Sequence, residues 1–518
     1  MIPRTYLFCL ASMLVISLSG CVGSEAKIPP GYLVIGIESS PNHLDPRYAT
    51  DANSSRVGSL IYNSLRRLDH NSRWFGDLAE HWDMLDPQTY IFQIRKGVTF
   101  HDGRELTAAD VKYTYDSIME PRNRSPKRGP LKVLQSVDQL GSHTIRFRLL
   151  APHAPFLEHC TIGIVPVNAP TREQSGNKLP PGSGPFALAG IDPGEKIILK
   201  ANPSYWEGNL PLPGLVFNIV PDAIVRVLEF KKGTIHLLQN DIEPDTVSWL
   251  EKNTDAIVET HQGTTFQYMG VNLTHPILKN RKVRQALALA IDRDGIIRHI
   301  LQGQATPANG LLSPLHWAHD ETVPYWPYDP AKAKQLLDQA GFRDPDGDGP
   351  RTRFKLSFKT TNIDLRRRIA ETLKEQMRGV GIELEVRTYE WGTFYSDIKK
   401  GNFHLFSLAW VGIFDPDIYY NIFHSASFPP NGDNRGHYSN AAIDRLVEQG
   451  RRESDPRRRK RLYSQVQKIM HEDLPYIPLW WAKNVVVRKP QVVGFTPYPD
   501  GDLFSLKQTA LRKAPDRQ

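Results

Sequence analysis

Cysteine is scarce in this chain: three among 518 residues, at Cys9, Cys21 and Cys160. A disulfide framework of the kind that staples small secreted domains is excluded, and the fold must rest on a hydrophobic core. Long apolar runs are missing too. The stretch from Leu7 to Leu18 is about a dozen residues, against the roughly 20 that a membrane span needs, and no later segment approaches that length. Local catalytic signatures are also absent. There is no His-Glu-x-x-His, no paired-cysteine metal spacing and no Gly-x-x-x-x-Gly-Lys loop, which removes the usual zinc and ATP-loop chemistries. "PGSGP" around Ser183 lacks the Gly-x-Ser-x-Gly elbow and reads as a turn. "DPDGDG" at Asp344, Asp346 and Asp348 opens like a calcium loop, but Lys355 stands where the bidentate glutamate belongs, so it reads as an acidic turn. His101 beside Asp102-Gly103 reads as structural. Nor is there a strong excess of one charge. The 64 basic and 56 acidic residues leave +8, and nothing points to nucleic acid. The densest basic run, Arg457 to Arg461, reads as the solvated side of a helix whose apolar face is Leu462, Val466, Ile469 and Met470. Attraction to anionic envelope lipid is its second reading.

What is present begins with "VISLSGCVGSE". A single charge at Arg4, the short apolar run and the small residues Ser19 and Gly20 describe a secretory signal. Leu18-Ser19-Gly20-Cys21 resembles the bacterial lipobox, which implies cleavage before Cys21 and acylation of its thiol. Several acyl chains bury methylenes at about 0.8 kcal/mol each, and more than one chain makes anchoring stable. Only Cys160 would then remain in the mature chain. Residues 1–20 are expected to be the signal peptide and 21–30 a linker.

Beyond it, strand and helix patterns alternate, punctuated by 40 prolines and 37 glycines. Tyr90, Phe92 and Ile94 alternate, as do Ile145, Phe147 and Leu149. Thr107 and Asp110 have the form of a capping box opening a helix through Val111 and Tyr115. Val283, Ala286, Leu287, Ala290 and Ile291 sit at helical spacing. Phe354, Leu356 and Phe358 alternate, Leu365, Ile369, Leu373 and Met377 recur every fourth residue, Gly381 offers a stop, and Ile382, Leu384 and Val386 alternate again. That is α/β organisation with parallel pairing.

"YIFQIRKGVTFHDGRELTAADVKYTYDSI" resembles the signature stretch of the bacterial family 5 solute-binding proteins, the oligopeptide and dipeptide receptors of ABC importers. "SSPNHLDPR", "GSGPFAL", "NPSYW", "KVRQALALAIDR", "YDPAKAKQLLDQAGF", "DPDIYYNIFHS" and "LYSQVQKIMHEDLPYIPLWW" extend the resemblance from about Tyr32 to about Phe504. It implies a two-lobed, hinge-closing periplasmic-binding-protein fold whose first lobe is enlarged by an extra subdomain. The expected divisions are 31–65 (lobe I), 66–180 (extra subdomain), 181–268 (lobe I continued), 269–484 (lobe II) and 485–518 (return to lobe I and tail). Crossings between lobes are expected at Phe266 to Thr274 and Leu479 to Val487.

The resemblance implies a monomeric receptor without chemistry, cofactor or metal. It would bind a short peptide and pass it to membrane permease subunits. In those receptors an aspartate three residues after the matching tryptophan holds the peptide ammonium. Here that position is Ile413. Asp415 and Asp417 follow it, either as a shifted ammonium site or as a turn that starts the next helix. Ala409, Trp410 and Val411 fall where the receptors pair with a peptide main chain. Ser40 and Asn42 align with the opposing contact segment, and Arg435 suits a ligand carboxylate or its own loop. A metal chelate, haem or opine-like ligand, and an anchored exported hydrolase, remain the alternatives.

Overall fold

The computed structural model describes residues 28–175, 178–240, 242–347 and 349–512. The signal run, Cys21 and Asp348 lie outside them. "LVIGI", Leu33–Ile37, is apolar throughout and all five residues are buried, the pattern of a strand covered on both faces. It runs parallel to Gly214–Ile219 and Leu237–Gln239. From it an 11-stranded sheet extends both ways. One wing adds the antiparallel strands Lys196–Ala201 and Phe186–Asp192. The other contains Leu405–Trp410, Phe354–Thr361 and Ile382–Tyr389.

Two long strands join the wings. Ile257–Val271 and Tyr476–Arg488, 15 and 13 residues, pair antiparallel along most of their length. Their Ile257 and Arg488 ends meet the first wing through Leu237–Gln239. Their Gly270 and Tyr476 ends meet the second through Leu405–Trp410. Midway, the register slips between His261 and Thr265, opposite Asn484 and Ala482.

In the second wing, Phe354–Thr361 and Ile382–Tyr389 pair in parallel. The intervening helix Asp364–Arg378 buries Ile369, Ala370, Leu373 and Met377 against them. Gly381, at φ 80°, turns the chain into the second strand.

A separate four-stranded antiparallel sheet, built from residues between Ala79 and Leu149, packs its own core against helix Ala108–Met119. The Phe147 ring lies 4.9 Å from Tyr115, 5.6 Å from Phe92 and 5.2 Å from Phe156. The helix starts as its sequence demands. The buried Asp110 carboxylate accepts the Thr107 N–H at 2.8 Å and its hydroxyl at 3.1 Å, and also Arg104 at 2.6 Å and the Val167 N–H at 2.8 Å. Asp110→Ala, which leaves these donors unmatched, is expected to lower the unfolding free energy by about 1–3 kcal/mol in urea titrations. A loss under a few tenths would mean that water satisfies them.

His101 is structural. Its Nδ1 accepts the Gly182 N–H at 3.3 Å, and its Nε2 faces the Gly184 carbonyl oxygen at 3.0 Å. Cys160 is free and buried.

The basic run corrects one expectation. Helix Pro456–Asp473 buries Arg459, Tyr463, Val466, Gln467 and Met470, whereas Arg457, Arg458, Lys460 and Arg461 are exposed. The inward stripe is rotated from the Leu462–Ile469 side because Arg459 is drawn to an acid, so the run is not wholly solvated. Among the described residues no helix is long and apolar enough to cross a membrane.

Candidate interlobe binding cavity

"SLRRLDH" leaves the helix Ala52–Ile61 and sets two arginines on the short strand Arg66–Leu68, paired with Trp74–Gly76. Arg67 is committed. It meets Asp77 at 3.1 Å, and its guanidinium lies 3.6 Å from the Phe504 ring centroid. Arg66 is not. It is 4% exposed and lies 4.0 Å and 4.9 Å from the ring centroids of Trp74 and Trp82. Its Nε is buried without a hydrogen-bond partner among the described residues, and burial pulls its pKa down to about 10. Both arginines line a cavity of about 300 Å³, at the lower end of the range for small-ligand pockets.

The rest of the lining comes from distant segments. Lys127, on a short 3-10 turn after helix Ala108–Met119, lines the cavity half-buried, and burial depresses its pKa. Asp500 and Asp502 enter from "YPDGD". Their loop is fixed at the register slip of the two long strands. The Asn484 amide donates to the carbonyls of Tyr498 and Pro499 at 2.8 and 2.9 Å, and the Thr264 N–H donates to Pro499 at 3.1 Å.

Asp500 accepts the Asp502 N–H at 3.0 Å, while Asp502 accepts Ser59 Oγ at 3.2 Å and the Phe504 N–H at 2.7 Å. Neither carboxylate forms an ion pair with a described residue within 4 Å. Burial, then its neighbour Asp502, pushes Asp500 up to about 6, and burial raises Asp502 as well.

The second wing contributes Phe414. Gly412, at φ 69°, turns the chain after strand Leu405–Trp410, and the Phe414 ring meets Trp74 edge-on at 6.3 Å. A smaller recess lined by Trp74, Thr264, His316, Phe414 and Asp500 continues between the wings.

Behind Phe414, both oxygens of Asp415 are taken by Arg459 at 2.5 and 2.6 Å. Asp417 is gripped by Arg451 at 2.9 Å, yet burial raises it to about 6. Facing them is the 3-10 segment Ala154–Thr161 of the four-stranded unit. Burial, reinforced by Asp415 and Asp417, drives Glu158 well above the usual carboxylate range. Burial likewise lowers His153 to about 3 and His159 to about 4. The contact therefore holds neutral histidines around two arginine–aspartate pairs.

The residues singled out from sequence fall into three groups. Ser40 and Asn42 are exposed, and the Asn42 N–H donates to Asp51. Ala409 and Trp410 end a strand opposite Gln267 and Phe266, with Val411 52% exposed just beyond. The Arg435 guanidinium lies 5.2 Å from the Trp410 ring centroid and pairs with Asp433 at 2.7 Å. Arg435 is 3% exposed, and its Nε and Nη1 are buried without hydrogen-bond partners among the described residues. Asp415 and Asp417 form the paired cluster. None of the eight lines the cavity. The residues that do, notably Arg66, Lys127, Asp500 and Asp502, stood in the sequence as one of an arginine pair inside "SLRRL", a lysine inside "SPKRG" and an acid pair astride a glycine, signals too common to single out.

Residues 74–429 match the family model for the bacterial extracellular solute-binding proteins, family 5 (middle). The oligopeptide-binding protein AppA of Bacillus subtilis is 30% identical over an alignment of 543 residues, covering 98% of this chain and 99% of AppA. Its solved structure, in complex with a nonapeptide, superposes with a TM-score of 0.79 at 29% identity, over 93% of this chain and 99% of that one. DppA from Helicobacter pylori with the peptide STSA gives 0.79 at 27% identity, over 93% and 98% of the two chains. NikZ from Campylobacter jejuni with Ni(L-His) gives 0.80 at 26% identity, over 93% and 100%. With the match covering most of the chain and the likeness extending over nearly all of it, this protein belongs to the family 5 bacterial extracellular solute-binding proteins.

Proposed function

We propose that the chain is a receptor of the cell envelope, tethered through a lipid on Cys21, which encloses a short peptide between two lobes and delivers it to the permease of an ABC importer. The observation that carries this reading is the cavity itself, walled by Arg66 and Asp500 on one side of the joining strands and Phe414 on the other. In this reading residues 31–65, 181–268 and 485–518 form lobe I, 66–180 its extra subdomain and 269–484 lobe II. The strands Ile257–Val271 and Tyr476–Arg488 are the hinge. A ligand that touches both lobes favours closure by its differential affinity for the two states. Moving the population from 1:99 to 99:1 takes about 5.5 kcal/mol of such preference. The peptide ligands of AppA and DppA support the choice of cargo.

Gentle purification followed by mass spectrometry is expected to find intact short peptides bound, and added peptide is expected to contract the scattering profile. Cleaved peptides, or a profile unchanged by every peptide tried, would count against the reading. Cys21→Ser is expected to abolish lipid labelling and release the protein from membranes. Labelling that persists would remove the anchor.

A further inference from the structure

We infer that the cavity is built for a zwitterion, with Arg66 and Lys127 receiving the ligand's carboxylate and Asp500, not Asp415, receiving its ammonium. The inference rests on the proposal that this cavity is the peptide site, and it assigns the ends of the peptide within it. Arg66 is a guanidinium withdrawn from water, without an ion pair among the described residues and with an unmatched Nε. A buried cation is retained at such cost when a counter-charge arrives. Lys127 adds a second cation with no hydrogen-bond partner among the described residues, lowered by burial alone. A carboxylate in the cavity that both line would bring each a counter-charge, and of the two only Arg66 offers a planar fork suited to it.

The acid pole is equally unspent. Asp500 is met by main-chain N–H groups, the Asp502 N–H at 3.0 Å among them, and forms no ion pair within 4 Å with a described residue. Asp415, which the sequence offers first, has both oxygens engaged by Arg459. An ammonium at Asp500 would relieve the repulsion from Asp502 that helps hold Asp500 up at about 6. Arg56 acts on the same group in the opposite sense, and Arg67 acts on Asp502. Tyr498, pushed up to about 12 by burial, stays neutral beside them, with Asp69 and Arg67 near it. Because the Asp500 loop is held by Asn484 and Thr264 at the slip in the joining strands, the ammonium end is read where the lobes pivot.

The test uses the full chain and a pool of random-sequence short peptides in free, N-acetylated and C-amidated forms, with binding measured by calorimetry and competition. In the wild type, acetylation and amidation are each expected to weaken binding by about ten- to a hundredfold, the range for a charge-assisted hydrogen bond. In Asp500→Asn the acetylation penalty is expected to vanish, whereas in Asp415→Asn it persists. The penalty should also shrink as pH falls below about 6, because protonated Asp500 no longer attracts the ammonium. Arg66→Met should remove most of the amidation penalty. Should that buried change prevent folding, Lys127→Met tests the same pole, with the amidation penalty reduced severalfold.

An acetylation penalty that survives in Asp500→Asn, or that disappears in Asp415→Asn, overturns the assignment while leaving the peptide receptor intact. So does equal binding of all three forms by the wild type. A wild-type protein that retains no peptide of the pool overturns the receptor reading and this inference together.

Discussion

Arg459→Met is expected to lower the unfolding free energy by about 3–5 kcal/mol in urea titrations, because it strands a buried carboxylate. Arg459 and Asp415 have side chains only 6% and 12% exposed, and both act on Glu158 of the four-stranded unit's 3-10 segment. Removing both charges should be far gentler. Arg459→Met combined with Asp415→Asn is expected to recover most of the loss, since a buried pair replaced by neutral groups of similar size is often nearly neutral. A single variant within about 1 kcal/mol of wild type would show that water reaches the pair.

Asp417 nearby acts in the unusual direction. Its folded value of about 6 exceeds the ordinary 3.8, so the folded state binds a proton that the unfolded chain lacks between those values. This group therefore adds stability as pH falls from about 6 toward about 4, and withdraws it as pH rises through about 6. Asp417→Asn should flatten that part of the pH–stability curve.

Gly182→Val is expected to be the most damaging small change, at about 4 kcal/mol or more, or to prevent folding outright. A Cβ at Gly182 would overlap the carbonyl oxygen of Ile61, which is main chain and cannot rotate away. Relief requires the Gly182–Gly184 segment to lift. That would break the Gly184 N–H bond to Ile61 at 2.8 Å and both contacts to the His101 ring. The matching control is Gly190→Ala, where a Cβ meets nothing within 4 Å, and the expected change is within about 0.5 kcal/mol. Equal effects at the two positions would refute the steric explanation.

Short-range chemistry was legible in the sequence. The alternation at Tyr90, Phe92 and Ile94, the Thr107–Asp110 cap and the strand–helix–strand unit from Phe354 to Val386 depend on neighbours a few residues away, and period alone reveals them. Family resemblance supplied the two-lobed architecture. Contacts between distant segments were not legible. Arg66, Lys127, Phe414 and Asp500 meet at one cavity although hundreds of residues separate the first from the last. Nothing local distinguishes Asp500, which forms no ion pair within 4 Å among the described residues, from Asp415, which forms one, because the deciding partner of Asp415 lies 44 residues on at Arg459. The same pairing hid the orientation of helix Pro456–Asp473. Its apolar residues permit two neighbouring stripes, and a buried arginine selects the one that hydrophobicity alone would pass over.

Cys160 sits wholly within the core of the four-stranded unit, its thiol pushed up to about 12 by burial and so almost never present as the reactive thiolate. For spectroscopy this makes the folded portion a blank slate. A cysteine introduced at exposed Val411 and another at exposed Ser40 would take up dyes or spin labels without competition from the native thiol. The distance between the two labels could then be followed in real time as cargo is added.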